Sequence, residues 1–165
     1  MNDQNPLTDP LTGLPSQWHF DLIFDFVFEL GDRGVPMTLV LFGIDGLDAY
    51  AGDRGDEGRD AVIEEFGKLL GVGSRKIDLA ARHGDDRFMC LLLVCNLQGG
   101  MLFADRIRAE ADGFTKATGL TVSAGVAAYT DEMERRDDLT ASVSKALAAA
   151  QQMGGDRIGL PQDAD

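Results

Sequence analysis

Apolar positions along the chain change period several times, and each change marks an element. Ser16 is placed to cap a helix from about Gln17 to Leu30, whose stripe of Phe20, Ile23, Phe24, Val27 and Leu30 recurs at helical spacing. Gly31 and the Asp32-Arg33-Gly34 turn end it. Met37 to Phe42 runs continuously apolar, as a strand covered on both faces does. Gly43 to Gly58 reads as an acidic, glycine-rich loop, and a second helix then carries Val62, Ile63, Phe66, Leu69 and Leu70 as far as Gly71 to Gly73. Leu79 to Arg82, a tight turn at His83 to Asp86, and Phe88 to Val94 form a strand–turn–strand unit. A third helix is expected over about Met101 to Ala111, a strand over Leu120 to Ala128, an Ala-rich helix over Leu139 to Met153, and a short strand over Arg157 to Leu160. That order predicts a single α/β domain, a layered sheet containing one hairpin, with no internal repeat or linker.

Length and composition fit this picture. A chain of 165 residues, 44% hydrophobic and 26% charged, is long enough to bury a core. Its longest apolar run, Phe88 to Cys95, is far short of the roughly 20 residues that span a bilayer, so no membrane insertion is expected. Met1 to Pro10 is polar and acidic rather than signal-like, which makes the cytoplasm the default compartment. Cys90 and Cys95 lie five apart, point to opposite faces of a strand, and read as free thiols. A formal charge of −13 repels polyanions, so no nucleic-acid polymer is expected as a partner. It still allows a small anion held by a few arginines.

Several segments, collinear over residues 9–158, resemble the GGDEF family of diguanylate cyclases: Asp9-Pro-Leu-Thr-Gly-Leu14, the stretch from Leu41 to Asp60, Arg82-His-Gly-Asp-Asp-Arg-Phe88, Leu120-Thr-Val-Ser-Ala-Gly-Val126 and Gly154-Gly-Asp-Arg157. The resemblance implies a five-stranded central sheet wrapped by helices. It divides the chain into a flexible lead-in (1–8), the domain (9–160) and a flexible tail (161–165). Arg82 is expected to pair with Asp9.

The family joins two GTP molecules into cyclic di-GMP, with divalent metal between carboxylates and phosphates. At the positions the resemblance assigns to that chemistry this chain departs. Gly43 stands where the first metal-binding aspartate belongs. The signature Gly84, Asp85, Asp86, Arg87, Phe88 keeps one acidic residue, Asp86, puts a carboxylate in place of its second glycine, and replaces glutamate by the permanent cation of Arg87. Ala51 takes the place of a guanine-binding asparagine, while Asp60 remains as a residual guanine contact. Gln151 and Gly155 stand where the phosphate-binding lysine and arginine belong. The expectation is a catalytically silent, degenerate domain that requires no cofactor. Magnesium would matter only for residual cyclase activity, with Asp45 and Asp86 as its ligands.

What the chain keeps is the pattern of the family's product-binding site. Arg75-Lys-Ile-Asp78 lies nine residues upstream of Gly84, and Arg106 lies at the position of a third contact on the following helix. An arginine fork suits phosphate or guanine O6 and N7, and a carboxylate suits guanine N1–H. The resemblance thus implies cyclic di-GMP as the ligand, bound by Arg75, Asp78 and Arg106, with a ligand-linked homodimer and an unidentified protein output partner. The alternatives are a weakly active cyclase and a nucleotide-free interaction scaffold. Taken alone, Arg75 and Asp78 also read as a surface ion pair, Arg106 and Arg108 as a solvated helix face, and His19 and His83 as structural or solvent-facing.

Overall fold

The computed structural model describes residues 6–164. Five strands form one sheet in the order β2-β3-β1-β4-β5: β1 (Met37–Asp45), β2 (Leu79–His83), β3 (Arg87–Leu93), β4 (Thr121–Ala128) and β5 (Ile158–Gly159). β1 lies between β3 and β4 and is antiparallel to both, β2 and β3 make the hairpin, and β5 runs parallel to β4.

The uninterrupted apolar run of β1 is explained by its place in the sheet. All residues from Met37 to Ile44 are buried, and alternation sends Val40, Phe42 and Ile44 to one face and Met37, Leu39 and Leu41 to the other. The first face packs under α2 (Leu47–Gly73) and α3 (Leu97–Glu110), where Phe42, Phe66, Phe88 and Phe103 meet edge to face. The second packs under α1 (Gln17–Phe28) and α5 (Arg136–Gln152), through Phe20, Phe24, Leu139, Val143 and Leu147. Helix α5 lies so close to the sheet that a Cβ on Gly125 would collide with the Val143 carbonyl oxygen. This explains the Ala-rich face of the helix, since bulkier side chains would lift it off the strand.

Several expectations hold. Ser16 caps α1 by accepting from the His19 N–H, and Arg82 pairs with Asp9 at 3.3 Å. Cys90 is buried and Cys95 half-buried, both as free thiols, but Cys95 lies past the end of β3 and packs on the same side of the sheet as Cys90, so they do not take opposite faces.

Two expectations about the elements are corrected, and one element is added. The segment Gly43 to Gly58 is no loop. β1 continues to Asp45, Gly46 turns the chain, and Leu47 anchors a helix that kinks at Gly55 (φ 74°, ψ −176°) before continuing to Gly73. The kink breaks the apolar stripe, which hid the first turns. Helix α3 starts at Leu97 rather than Met101, because the Asn96 side chain accepts from the Gly99 N–H. Its glycines serve packing: a Cβ on Gly100 would run into the Thr38 methyl group. A short helix, α4 (Asp112–Thr118), has no buried residue and therefore left no apolar signature. Past β5 the chain forms a 3-10 turn over Pro161–Ala164. Residues 1–5 of the lead-in and residue 165 of the tail lie outside the described residues, while the Leu7 carbonyl accepts from Ser16 N–H and Thr8 bridges Pro15. Among the described residues, no helix is long and apolar enough to cross a membrane.

Candidate functional site

Two cavities collect the residues singled out from the sequence. The first, of about 570 Å³, is lined by Arg75, Asp78 and Arg106, with Leu92, Val94, Leu102 and Phe103 among its apolar walls. Arg75 and Asp78 lie in the connection between α2 and β2, and Arg106 projects from α3, so residues far apart in sequence meet here.

Asp78 is the fixed point of this cavity. Its side chain is 1% exposed, and its carboxylate accepts from the Arg75 backbone N–H (3.0 Å), from Nε (3.0 Å) and from Nη2 (2.9 Å). Arg75 Nη2 also donates to the Leu93 carbonyl at 3.0 Å. The bond to Asp78 raises the Arg75 pKa, so its charge is permanent. The surface-pair reading is thereby corrected for Asp78, which is buried, whereas Arg75 remains 54% exposed and lines the cavity with its fork turned to Asp78. In the unliganded domain both Asp78 oxygens hold Arg75, Oδ2 with two bonds and Oδ1 with one. Arg106 donates Nη2 to the Gly73 carbonyl (2.7 Å) and Nη1 to Glu110 (3.2 Å), and its guanidinium lies over the Phe103 ring. Cys95 also lines the cavity, and partial burial raises its pKa, keeping the thiol neutral.

The second cavity, of about 560 Å³, gathers Asp45, Asp86, Arg87, Gln151, Gly154 and Gly155 at the end of β1. Its floor is occupied by its own side chains. Asp45 Oδ2 accepts from Thr121 Oγ1 (2.8 Å), Ser123 Oγ (2.7 Å) and the Asp156 N–H (3.0 Å), while Gln151 Nε2 reaches Oδ1 at 3.4 Å. Gly155, at φ 73°, makes room for this, as a Cβ there would stand 2.8 Å from Asp45 Oδ2. Gly43 makes room for Gln151 in the same way: a Cβ on it would meet Nε2 at 2.9 Å.

Around this cavity the hairpin is tied down. Gly84 N–H donates to Gln17 Oε1, and Arg59 and Arg82 both donate to the Asp85 carbonyl. Phe88 is buried against Phe66. Asp86 is exposed, and Arg87 pairs in register with Gly43. Asp60 does not line the cavity; half exposed on α2, it faces Arg59 at 4.0 Å.

A divalent metal does not fit this donor set. Gly43 offers no side-chain ligand, Asp45 spends Oδ2 on three donors, and the Arg87 cation stands among the lining residues. Among the described residues, no three His, Cys, Asp or Glu side chains are grouped to hold a metal ion.

Sequence reasoning missed three features. Arg108, expected on a solvated face, donates to the Val122 carbonyl (2.9 Å) and to Asp156 Oδ1 (2.8 Å), tying α3 to the turn that serves Asp45. No local pattern carries that contact. Glu110 engages Arg106, and the i,i+4 spacing could have shown it. The apolar walls Val94 and Leu102, both more than half exposed, gave no signal because single exposed apolar residues are ordinary.

Comparison with known proteins agrees with this architecture. The family model of the diguanylate cyclase GGDEF domain matches residues 7–157. Diguanylate cyclase A of Treponema denticola is 26% identical over 94% of this chain and 44% of its own length. Response regulator PleD of Caulobacter vibrioides is 29% identical over 92% of the chain and 35% of its own length. The chain therefore spans less than half of these curated relatives. Among solved structures, the GGDEF domain of DgcB from Caulobacter crescentus, in complex with c-di-GMP, superposes with a TM-score of 0.88 at 22% identity, covering 96% of this chain and 98% of that one. The GGDEF domain of FimX from Pseudomonas aeruginosa gives 0.84 at 22% identity, over 92% and 98%. Together with the five-stranded sheet and the hairpin, the family match over nearly the whole chain places it: this protein belongs to the GGDEF diguanylate cyclase domain family.

Proposed function

We propose that this domain is a receptor for cyclic di-GMP that has given up cyclase chemistry. The observation that carries this reading is the convergence of Arg75, Asp78 and Arg106 on one cavity. Buried Asp78 holds the Arg75 guanidinium in place through Nε and Nη2, and Arg106 supplies a second cation from another element. Two phosphates and two purines call for such a set: guanidinium groups for the phosphates and for guanine O6 and N7, with apolar walls for the base faces. Structural similarity to a domain in complex with c-di-GMP supports the same ligand.

The opposite cavity argues against turnover. An active cyclase must hold triphosphate and metal, and here Asp45 is engaged by the protein's own donors while Gln151 fills the space above Gly43. The weakly active alternative leaves Asp45 only Oδ1 as a ligand, because Oδ2 holds three donors, and Gln151 Nε2 already stands 3.4 Å from that oxygen. The domain needs no cofactor in this reading. Ligand-linked pairing of two copies, a further output protein and cytoplasmic action complete it.

Calorimetric titration with cyclic di-GMP, and separately with GTP and magnesium, tests the proposal on wild type and Arg75→Ala. Micromolar or tighter binding of cyclic di-GMP is expected, weakened about 100-fold by Arg75→Ala as a charge-assisted fork is lost. Cyclic di-GMP produced from GTP, and lost in Asp86→Ala, would instead establish the cyclase. Absence of binding to either nucleotide would leave an interaction scaffold.

A further inference from the structure

The two arginines of the first cavity are held differently. Arg75 is fixed by a carboxylate that is 1% exposed and carries three bonds from one residue. Arg106 is held by Glu110, with both side chains 46% exposed and a single contact at 3.2 Å. Its other terminal nitrogen is bound to the Gly73 carbonyl at 2.7 Å. Both terminal nitrogens of Arg106 are thus engaged without ligand, one by a backbone oxygen and one by a half-exposed acid.

Charge and helix position make Glu110 conspicuous. The formal charges of Arg75, Arg106, Asp78 and Glu110 cancel, so the four together offer a phosphate diester no net attraction until one acid moves. Glu110 is also the last residue of α3, at the negative end of the helix dipole, where an acid costs helix stability. The helix therefore gains nothing from a carboxylate at this position.

We propose that Glu110 sets the affinity of the cyclic di-GMP cavity by competing with phosphate for Arg106. This rests on the receptor reading above and names its control. In the unliganded domain Glu110 keeps the guanidinium neutralised and directed toward Gly73. An arriving phosphate oxygen takes Nη1, Glu110 swings into solvent and regains its rotamer freedom, and the Gly73 carbonyl keeps Arg106 in place. Asp78 cannot play this part, because its burial and its three bonds prevent release. Glu110 is a positioning residue acting through Arg106.

The test is a four-variant cycle titrated with cyclic di-GMP: wild type, Glu110→Gln, Arg106→Ala and the double variant, each at low and high salt. Glu110→Gln is expected to bind about three- to tenfold tighter at low ionic strength, with the gain shrinking as salt screens the pair. In the Arg106→Ala background the same substitution is expected to change affinity less than about twofold. Unchanged or weaker binding by Glu110→Gln overturns the competition. An undiminished gain without Arg106 overturns its route through that residue. If none of the four binds, the receptor reading falls, and this inference with it.

Discussion

The two cavities use the same chemistry, a carboxylate surrounded by donors, to opposite ends. At Asp78 the donors come from one flexible cation, and the result is an arginine whose outer edge is aimed at open space. At Asp45 the donors are two hydroxyls and a backbone N–H from β4 and the turn after α5, and the result is a closed joint. A carboxylate that satisfies its protein neighbours stabilises the fold, whereas one that orients a cation prepares a binding surface. In the receptor reading proposed above, the domain has turned its reaction centre into structure and kept its periphery for recognition.

Asp45→Ala is the largest expected effect that sharpens this contrast. It strands the Thr121 and Ser123 hydroxyls and the Asp156 N–H, and unfolding should become easier by about 3 kcal/mol. Cyclic di-GMP affinity should stay within about twofold of wild type, because the other cavity shares none of these contacts. Denaturant unfolding and calorimetry on one preparation check both halves. A stable variant with weakened ligand binding would break the division between the cavities.

Asp78→Asn is the mirror experiment. The amide keeps the volume but loses the charge-assisted fork on Arg75, so affinity for cyclic di-GMP should fall by about 2 kcal/mol, roughly 30-fold. Arg75 retains its bond to the Leu93 carbonyl, which limits the loss. Titration of the variant decides it. Undiminished affinity would show that Asp78 is a structural anchor and no part of recognition.

Much of this was legible in the sequence where a residue type and its periodicity agree. The continuous run of β1 gives a two-faced strand and Ser16 gives a cap, whereas Arg75, Asp78 and Arg106 were grouped by the family resemblance, their spacing alone fitting a surface ion pair and a solvated helix face equally well. The first turns of α2 were illegible because Gly55 resets the phase of the helix, and α4 because it buries nothing. At the sites, the missing information is tertiary. Nothing adjacent to Asp45 reveals Thr121, Ser123 and Asp156 as its partners, and nothing adjacent to Arg108 reveals Val122. That both oxygens of Asp78 hold Arg75 is likewise a fact of geometry that the sequence does not show.

A smaller effect tests how tightly the second cavity is filled. Gly43→Ala places a methyl 2.9 Å from Gln151 Nε2 and 3.4 Å from Leu147 Cδ2. The cost should be about 1 kcal/mol of stability, and Gln151→Ala in the same chain should recover most of it. Thermal unfolding of the two single variants and the double gives the coupling directly. If Gly43→Ala is neutral by itself, Gln151 moves freely and the cavity is open to solvent rather than filled.

The smallest expected effect separates the cavities by pH. Partial burial is the main cause that lowers the His83 pKa below 6.5, outweighing the pull of Asp21, and Arg87 lowers it further. The folded state therefore resists a proton that the unfolded chain accepts. Stability is fully present above the unfolded value and declines as pH falls through about 6.5 toward the lower folded value. His83→Gln should remove this shallow slope. In the first cavity Arg75 is held above its usual pKa and the Cys95 thiol is raised as well, so neither changes charge near neutrality. Affinity for cyclic di-GMP should accordingly stay flat from about pH 6 to about pH 8, while the unfolding midpoint moves at the acidic end. If affinity instead followed the stability slope and both flattened in His83→Gln, the hairpin and the ligand cavity would be coupled, and the separation of reaction centre from recognition surface would have to be abandoned.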